Sequence, residues 1–369
     1  MSKKSSSVGK TVGASRTTKV RKPAKAGTTR KAATLLVGID LGTSRTAIAA
    51  GNGYRFQVST YVGKPRDAVS EKLFGKRLLF GDEALNNRMS LELFRPLEKG
   101  VIDTSPGQKE GNIAAVQALL KHVVSLLGSS ENEVIRGVIG APARASVVDK
   151  KLLVDVVREM LDAVMIVSEP FCVAYGLDIL TDALIVDIGA GTIDLCRMHG
   201  ALPSEEDQAT IMKGGDFIDR ALFDLVKEKY PDAQFTINMI KLIKEKYGYV
   251  SDNKEKIEVE FTVNGRPRMF DVTEELKKAC SMIVPDLSKT IYQLIGSFDP
   301  EFQKRLRNNV VACGGGSQLT GLGRLIERAL DKLGGGSVTT VDEPVFAGAS
   351  GALKIAHEMP GSFWERLKD

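Results

Sequence analysis

Two stretches of this chain share one design, and the repetition limits what the whole can fold into. Leu35-Leu-Val-Gly-Ile-Asp40 is an apolar run closed by an aspartate, followed by Leu41-Gly42-Thr43-Ser44-Arg45-Thr46-Ala47-Ile48. Ala183-Leu-Ile-Val186 leads in the same way into Asp187-Ile-Gly-Ala-Gly-Thr-Ile-Asp194. Each reads as a buried strand, a turn of small residues and a second strand. A glycine tip exposes backbone N–H groups with no Cβ in front of them, so a phosphate can come close. An aspartate at the strand end repels that phosphate and is better suited to hold water on a divalent cation. One such octet alone could be an ordinary glycine hairpin. Two of them, with their aspartates 147 positions apart, predict two similar lobes facing one nucleotide.

Other landmarks fall between and after the pair: Arg95-Pro-Leu-Glu-Lys-Gly-Val-Ile-Asp103, Gly140-Ala-Pro-Ala-Arg-Ala-Ser146, Ser168-Glu-Pro170, Lys213-Gly-Gly-Asp216 and Cys313-Gly-Gly-Gly-Ser317. In this order they resemble the actin, hexokinase and heat-shock chaperone superfamily. They are most similar to the bacterial actins of the MreB type and, in Gly140–Ser146, Val167–Phe171 and Asp187–Gly191, to the magnetosome filament branch. The resemblance spans residues 34–369. It implies an α/β, two-lobed fold, each lobe a mixed sheet with helices plus a smaller insert. Lobe I takes residues 34–182 with an insert at about 61–110, and lobe II residues 183–369 with an insert at about 216–300.

The resemblance also implies the ligands, ATP and Mg2+. Gly42, Thr43 and Ser44 would face the phosphates from one lobe, and Gly189, Ala190, Gly191 and Thr192 from the other. Gly214, Gly215 and Asp216 would lie near the ribose and phosphates, with Asp216 also able to cap the helix that follows. Gly314, Gly315, Gly316 and Ser317 would approach the base or a phosphate. Asp40 and Asp187 would position Mg2+ through water, Asp187 also serving catalysis. Glu169, at a strand-to-helix junction before Pro170, would orient the attacking water; its alternative role is to cap that helix. In the segment that contacts adenosine, Lys244 keeps the expected lysine, but Lys241 stands where MreB proteins carry an acid. That puts the ribose contact, and strict choice of ATP over GTP, in doubt.

The net charge of +5 is unevenly placed. Residues 1–33 hold ten Lys or Arg and no acid, leaving 41 basic against 46 acidic residues in the rest. With almost nothing large and apolar, this tail is expected to be disordered. It would serve an anionic lipid, nucleic acid or acidic protein, or stay solvated without a dedicated partner. It has no apolar face or signal-like apolar segment, and no run approaches the ~20 residues of a membrane span. The four cysteines and three histidines are scattered, arguing against a His/Cys metal site and for a reducing cytoplasm.

Further elements follow from periodicity. Helices are expected at 113–127, 146–163, 217–230, 322–333 and 346–358, with strands at 134–140, 165–167 and 310–313. A hairpin is expected over 257–263 and 268–272 around Asn264-Gly265. Three functions remain open: a filament-forming ATPase of the cytoskeleton, a small-molecule kinase, or a chaperone-type ATPase. No sugar-binding insertion is visible between the loops. A chaperone would need a peptide-binding domain, whereas the length is that expected of an actin alone. The filament reading leads, with expected partners of a second copy and an acidic magnetosome adaptor such as MamJ. Its alternative is an MreB-like role in cell shape.

Overall fold

The computed structural model describes residues 33–128, 133–252 and 255–367. The expectations for the basic tail therefore lie outside the described residues, except at Ala33.

The first duplicated unit opens a five-stranded sheet. Strands β1 (Thr34–Leu41), β2 (Arg45–Ala50) and β3 (Arg55–Ser59) form an antiparallel meander. A small three-stranded sheet follows, of β4 (Val62–Pro65), β5 (Leu79–Phe80) and β6 (Leu91–Phe94), with helices α1 (Ala68–Phe74) and α2 (Gly81–Asn86). The landmark at 95–103 becomes a tight hairpin of β7 (Leu97–Glu98) and β8 (Val101–Ile102). After helix α3 (Lys109–Ser125), strand β9 (Val134–Ala141) pairs parallel to β1. Helix α4 (Val147–Val157) then leads to β10 (Ala163–Ser168), parallel to β9. The sheet order is β10-β9-β1-β2-β3.

One expectation fails here. The helix foreseen over 146–163 ends at Val157, and Ala163 already belongs to β10. Its start is sharp because Ser146 and Asp149 form a capping box. Its end has no Gly or Pro to mark it, so apolar residues run on from helix to strand.

Helix α5 (Glu169–Gly176) leads to the second unit, β11 (Ala183–Ile188) and β12 (Ile193–Met198), joined by β13 (Gln208–Ile211). Helices α6 (Gly215–Lys229) and α7 (Ile237–Tyr247) come next. The hairpin β14 (Glu258–Val263) and β15 (Arg266–Asp271) turns at Asn264-Gly265, both with positive φ, as two-residue hairpin turns require. Helices α8 (Thr273–Ser281), α9 (Val284–Gly296) and α10 (Pro300–Arg307) precede β16 (Val310–Cys313), which pairs parallel to β11. Helix α11 (Leu322–Leu330), strand β17 (Val338–Thr340) and helices α12 (Pro344–Glu358) and α13 (Gly361–Arg366) close the chain. The second sheet runs β13-β12-β11-β16-β17, the two duplicated hairpins occupying corresponding places.

Strand alternation divides the core of the two main sheets into clusters on opposite faces. In β1, Leu35, Val37, Ile39 and Leu41 face a core shared with α3 and α4. In β11, Leu184, Val186 and Ile188 face one shared with α6 and α8–α11. The opposite face of β11, Ala183 and Ile185, joins Val138, Phe171, Cys172, Val311, Ala352 and Ile355 in a third cluster, against which Leu36 of β1 packs. Both sheets thus bury one face against α5 and α12. That requires very close approach. A Cβ on Gly38 would lie 2.1 Å from the Ala349 carbonyl oxygen, and one on Gly351 1.8 Å from that of Cys172. Among the described residues no helix is long and apolar enough to cross a membrane.

Candidate functional site

The two hairpin tips are built alike. The Gly42 N–H donates to the Arg45 carbonyl at 3.1 Å, and the Gly189 N–H to the Thr192 carbonyl at 2.9 Å. In both, the aspartate sits two residues before that glycine, at the last part of its strand. A third hairpin holds the tips together. At its turn Lys99 and Gly100 have φ of 51° and 76°. The Gly100 N–H donates to Thr43 Oγ1 at 2.7 Å, and a Cβ on Gly191 would lie 2.6 Å from both Lys99 Cα and Thr43 Oγ1.

Behind the second tip lies the Gly-Gly-Asp turn. The Gly215 N–H donates to the Gly189 carbonyl at 2.9 Å and the Asp216 N–H to that of Ala190 at 2.8 Å. Asp216 makes no cap: Gly214 is the N-cap of α6 and offers no side chain, while the Asp216 carboxylate meets Arg95 at 2.6 Å. Its main-chain N–H supports the loop, and its charge answers an arginine from the other side of the cleft. Lys244 is likewise engaged within the protein, at 2.9 Å from the Gly215 carbonyl and 2.7 Å from Asp219. Lys241 donates to Ser44 Oγ. In the glycine-rich turn after β16, Gly315–Gln318 coil as one turn of 3-10 helix and Ser317 Oγ donates to the Gly314 carbonyl at 2.8 Å.

Asp40, Glu169 and Asp187 open onto one cavity with Gly42, Thr43, Ser44, Gly189–Thr192 and Gly314–Gly315; its volume is about 110 Å3. A neighbouring cavity of about 330 Å3 shares Gly189, Ala190, Gly315, Pro344 and Val345 with it. Gly215, Lys241, Lys244, Gly316, Gln318 and Thr320 line this second space. A small chamber walled by glycine loops and carboxylates, opening beside a larger one, suits phosphates joined to a nucleoside.

Each of the three carboxylates is set against a glycine. A Cβ on Gly348 would lie 2.6 Å from Asp40 Oδ2, on Gly314 2.3 Å from Asp187 Oδ1, and on Gly140 3.2 Å from Glu169 Cγ. Glu169 is the first residue of α5, with no side-chain cap at that end, which removes the support for the capping alternative. Burial raises the Asp40 pKa from 3.8 to about 6. Burial, followed by the neighbouring aspartates, pushes Glu169 and Asp187 well above their usual values. Among the described residues no cationic side chain pairs with any of the three. A cation therefore fits the chamber electrostatically. No three His, Cys, Asp or Glu side chains among the described residues converge as a ligand set. A divalent ion at Asp40 and Asp187 would thus keep much of its water, as Mg2+ prefers.

Asp194 is an additional functional residue whose importance the sequence reading missed. It is 1% exposed and accepts from Thr192 Oγ1 and Thr210 Oγ1 at 2.6 Å each and from the Ala143 N–H at 2.8 Å. These bonds fix the second phosphate loop to the turn after β9 in the first sheet. The Asp-x-x-x-x-Thr-x-Asp spacing, with an acid facing inward on the return strand, was the available signal. Lys99-Gly100 was also missed; the lone glycine between Leu97 and Val101-Ile102 was the local cue for a turn.

The comparisons with known proteins agree with this geometry. The family model described as MreB/Mbl protein matches residues 34–361. The chain belongs to the MreB/Mbl family. The actin-like protein MamK of Paramagnetospirillum magneticum is 40% identical over 335 residues, covering 91% of this chain and 96% of that protein. A structure described as the MamK double helical filament superposes with a TM-score of 0.85 at 39% identity, over 89% of this chain and 100% of the other. A non-polymerising MamK mutant bound to AMPPNP gives 0.67 at the same identity and the same coverage of both chains. These place the chain on the MamK branch and confirm the actin-like α/β fold with its mixed sheets.

Proposed function

We propose that this chain is an actin-like cytoskeletal ATPase that binds ATP with Mg2+ in the cleft and polymerises with copies of itself. Hydrolysis then drives filament turnover, and in the cell the filament arranges magnetosomes. The observation that carries the reading is the pair of like-built glycine tips facing three carboxylates that have no counter-charge among the described residues. The MamK relatives that form filaments or bind AMPPNP support it, as does the higher structural similarity to the filament form.

The residues divide the work. Backbone N–H groups of Thr43, Ser44 and Ala190–Thr192 bind phosphate oxygens, the Gly42 and Gly189 N–H groups close the two turns, and Gly214–Asp216 brace the second tip. Lys244, Gly315 and Gly316 border the nucleoside, and Lys241 stands where the two chambers meet. Mg2+, when bound near Asp40 and Asp187, offsets charge on the phosphates and on the carboxylates. Glu169 aligns a water with the terminal phosphorus. As the water oxygen bonds to that phosphorus, the bond to the bridging oxygen breaks and leaves ADP and phosphate. A carboxylate with a raised pKa is a competent acceptor for the water proton.

The two halves of residues 34–182 and 183–369 act as lobes, so ATP bridging both favours a closed, assembly-ready arrangement. The filament is cytoplasmic and runs along the magnetosome chain, attached through an acidic adaptor such as MamJ. A second reading, an MreB-like filament in cell shape, rests on the same family match and shares the biochemistry. Electron microscopy and sedimentation of purified protein test the proposal. Filaments should form above a threshold concentration with ATP and Mg2+, with phosphate release following assembly. Monomers under all nucleotide and salt conditions would overturn it.

A further inference from the structure

Three of the cationic side chains at the cleft mouth have a carboxylate of their own. Arg45 Nη2 lies 3.3 Å from Glu245 Oε2, Arg95 Nη2 2.6 Å from Asp216 Oδ2, and Lys244 Nζ 2.7 Å from Asp219 Oδ1. Lys246, also on the cavity wall, is exposed and sits over the Tyr247 ring at 4.8 Å. Lys241 differs. Among the described residues it has no carboxylate within ion-pair distance, and its ammonium points instead to Ser44 Oγ in the first glycine loop. Ser44 is buried and Lys241 half-buried, so water solvates this charge poorly. Burial lowers the Lys241 pKa; Glu245, one turn along α7, and the more distant Asp216 and Asp219 oppose that shift, and Arg95 adds to it.

An ammonium held away from water with no anion in direct contact is costly, and a ligand phosphate can supply that contact. Here the ligand chamber begins at the hydroxyl that Lys241 touches. An ammonium has three donors, so it can keep Ser44 and still reach a phosphate oxygen.

We propose that Lys241 reads the phosphate chain of the nucleotide, supplying its counter-charge from α7 across the cleft beside the Ser44 loop. The proposal rests on the ATP reading above and deepens it: this position contributes phosphate affinity rather than a ribose contact. Affinity should therefore depend on the phosphate chain at this residue, and nucleosides should be indifferent to it. The pairing also links α7 of the second half to the first loop, so phosphate binding and cleft closure become one event.

The test uses the full chain below its assembly threshold, with Mg2+, and calorimetric titration of ATP, ADP and adenosine. Lys241→Met keeps the length of the stem and removes the charge. ATP and ADP affinities should fall about 10- to 100-fold, the range for a charge-assisted hydrogen bond, while adenosine is unaffected. Lys241→Arg should recover most of the loss. The melting temperature of nucleotide-free Lys241→Met should stay level or rise, since a poorly solvated charge with no contacting anion has gone. An equal loss for adenosine, unchanged ATP affinity, or a lower melting temperature with all three ligands weakened would each overturn the proposal. Wild-type protein that binds no ATP would overturn the parent reading along with this one, and that failure is visible before any variant is made.

Discussion

Replacing Asp40 by asparagine should stabilise the empty protein while impairing its use of Mg2+. Burial raises this carboxyl from 3.8 to about 6 in the folded chain. A difference of about two units corresponds to about 3 kcal/mol between charged and neutral forms. The folded protein holds this proton more tightly than the unfolded chain does. The contribution of Asp40 to stability is therefore least unfavourable below about pH 4, worsens as pH rises to about 6, and is level above that. Asparagine has nearly the same shape against Gly348 and carries no charge. Nucleotide-free Asp40→Asn should be more stable than wild type by about 3 kcal/mol at pH 7.5 and by about half as much at pH 5. Urea denaturation followed by circular dichroism, in chelator and below the assembly threshold, measures both gaps. The stabilisation that wild type gains from ATP with Mg2+ should shrink in the variant. An Asp40→Asn protein less stable at pH 7.5, or a gap that does not change with pH, would refute the electrostatic account of the chamber.

Three more outcomes are expected. Glu169→Gln should bind ATP and assemble, yet release phosphate about 100-fold or more slowly, giving filaments that exchange subunits slowly in bleaching experiments; wild-type turnover would remove Glu169 from catalysis. Asp194→Ala leaves Thr192, Thr210 and the Ala143 N–H without their acceptor. It should cost about 3 kcal/mol in denaturation and weaken ATP binding, whereas a loss below about 1 kcal/mol would mean that water replaces the carboxylate readily. Gly351→Val forces atoms into the Cys172 carbonyl and should cost at least about 3 kcal/mol, measured as a shift in melting temperature.

What the sequence reveals here is what short range determines. The hairpin tips were legible because apolar alternation, an aspartate and small turn residues sit within about a dozen positions. The Asn264-Gly265 hairpin was legible for the same reason. The end of α4 was not, because Val154–Leu161 offers helix and strand the same apolar side chains. The Asp216–Arg95 pair joins residues far apart in sequence, and Asp216 looked like a helix cap because only its neighbours were in view. Lys241 was visible as a departure from pattern, but its meaning depended on which acids its neighbours had already taken. That is a property of the assembled cleft.

The position of α12 bears on how the chain is made. This helix lies against β1, the first strand, yet some 300 residues of chain separate them. At about 5–20 residues per second, a ribosome needs roughly 15–60 s to deliver the helix after the strand. During that interval the Leu36 side of the first sheet waits uncovered, and Pro344 and Val345 are missing from both nucleotide chambers. An unfinished chain therefore lacks a complete ATP site. Since assembly needs that site, nascent polypeptides are kept out of growing filaments until their last helix has docked.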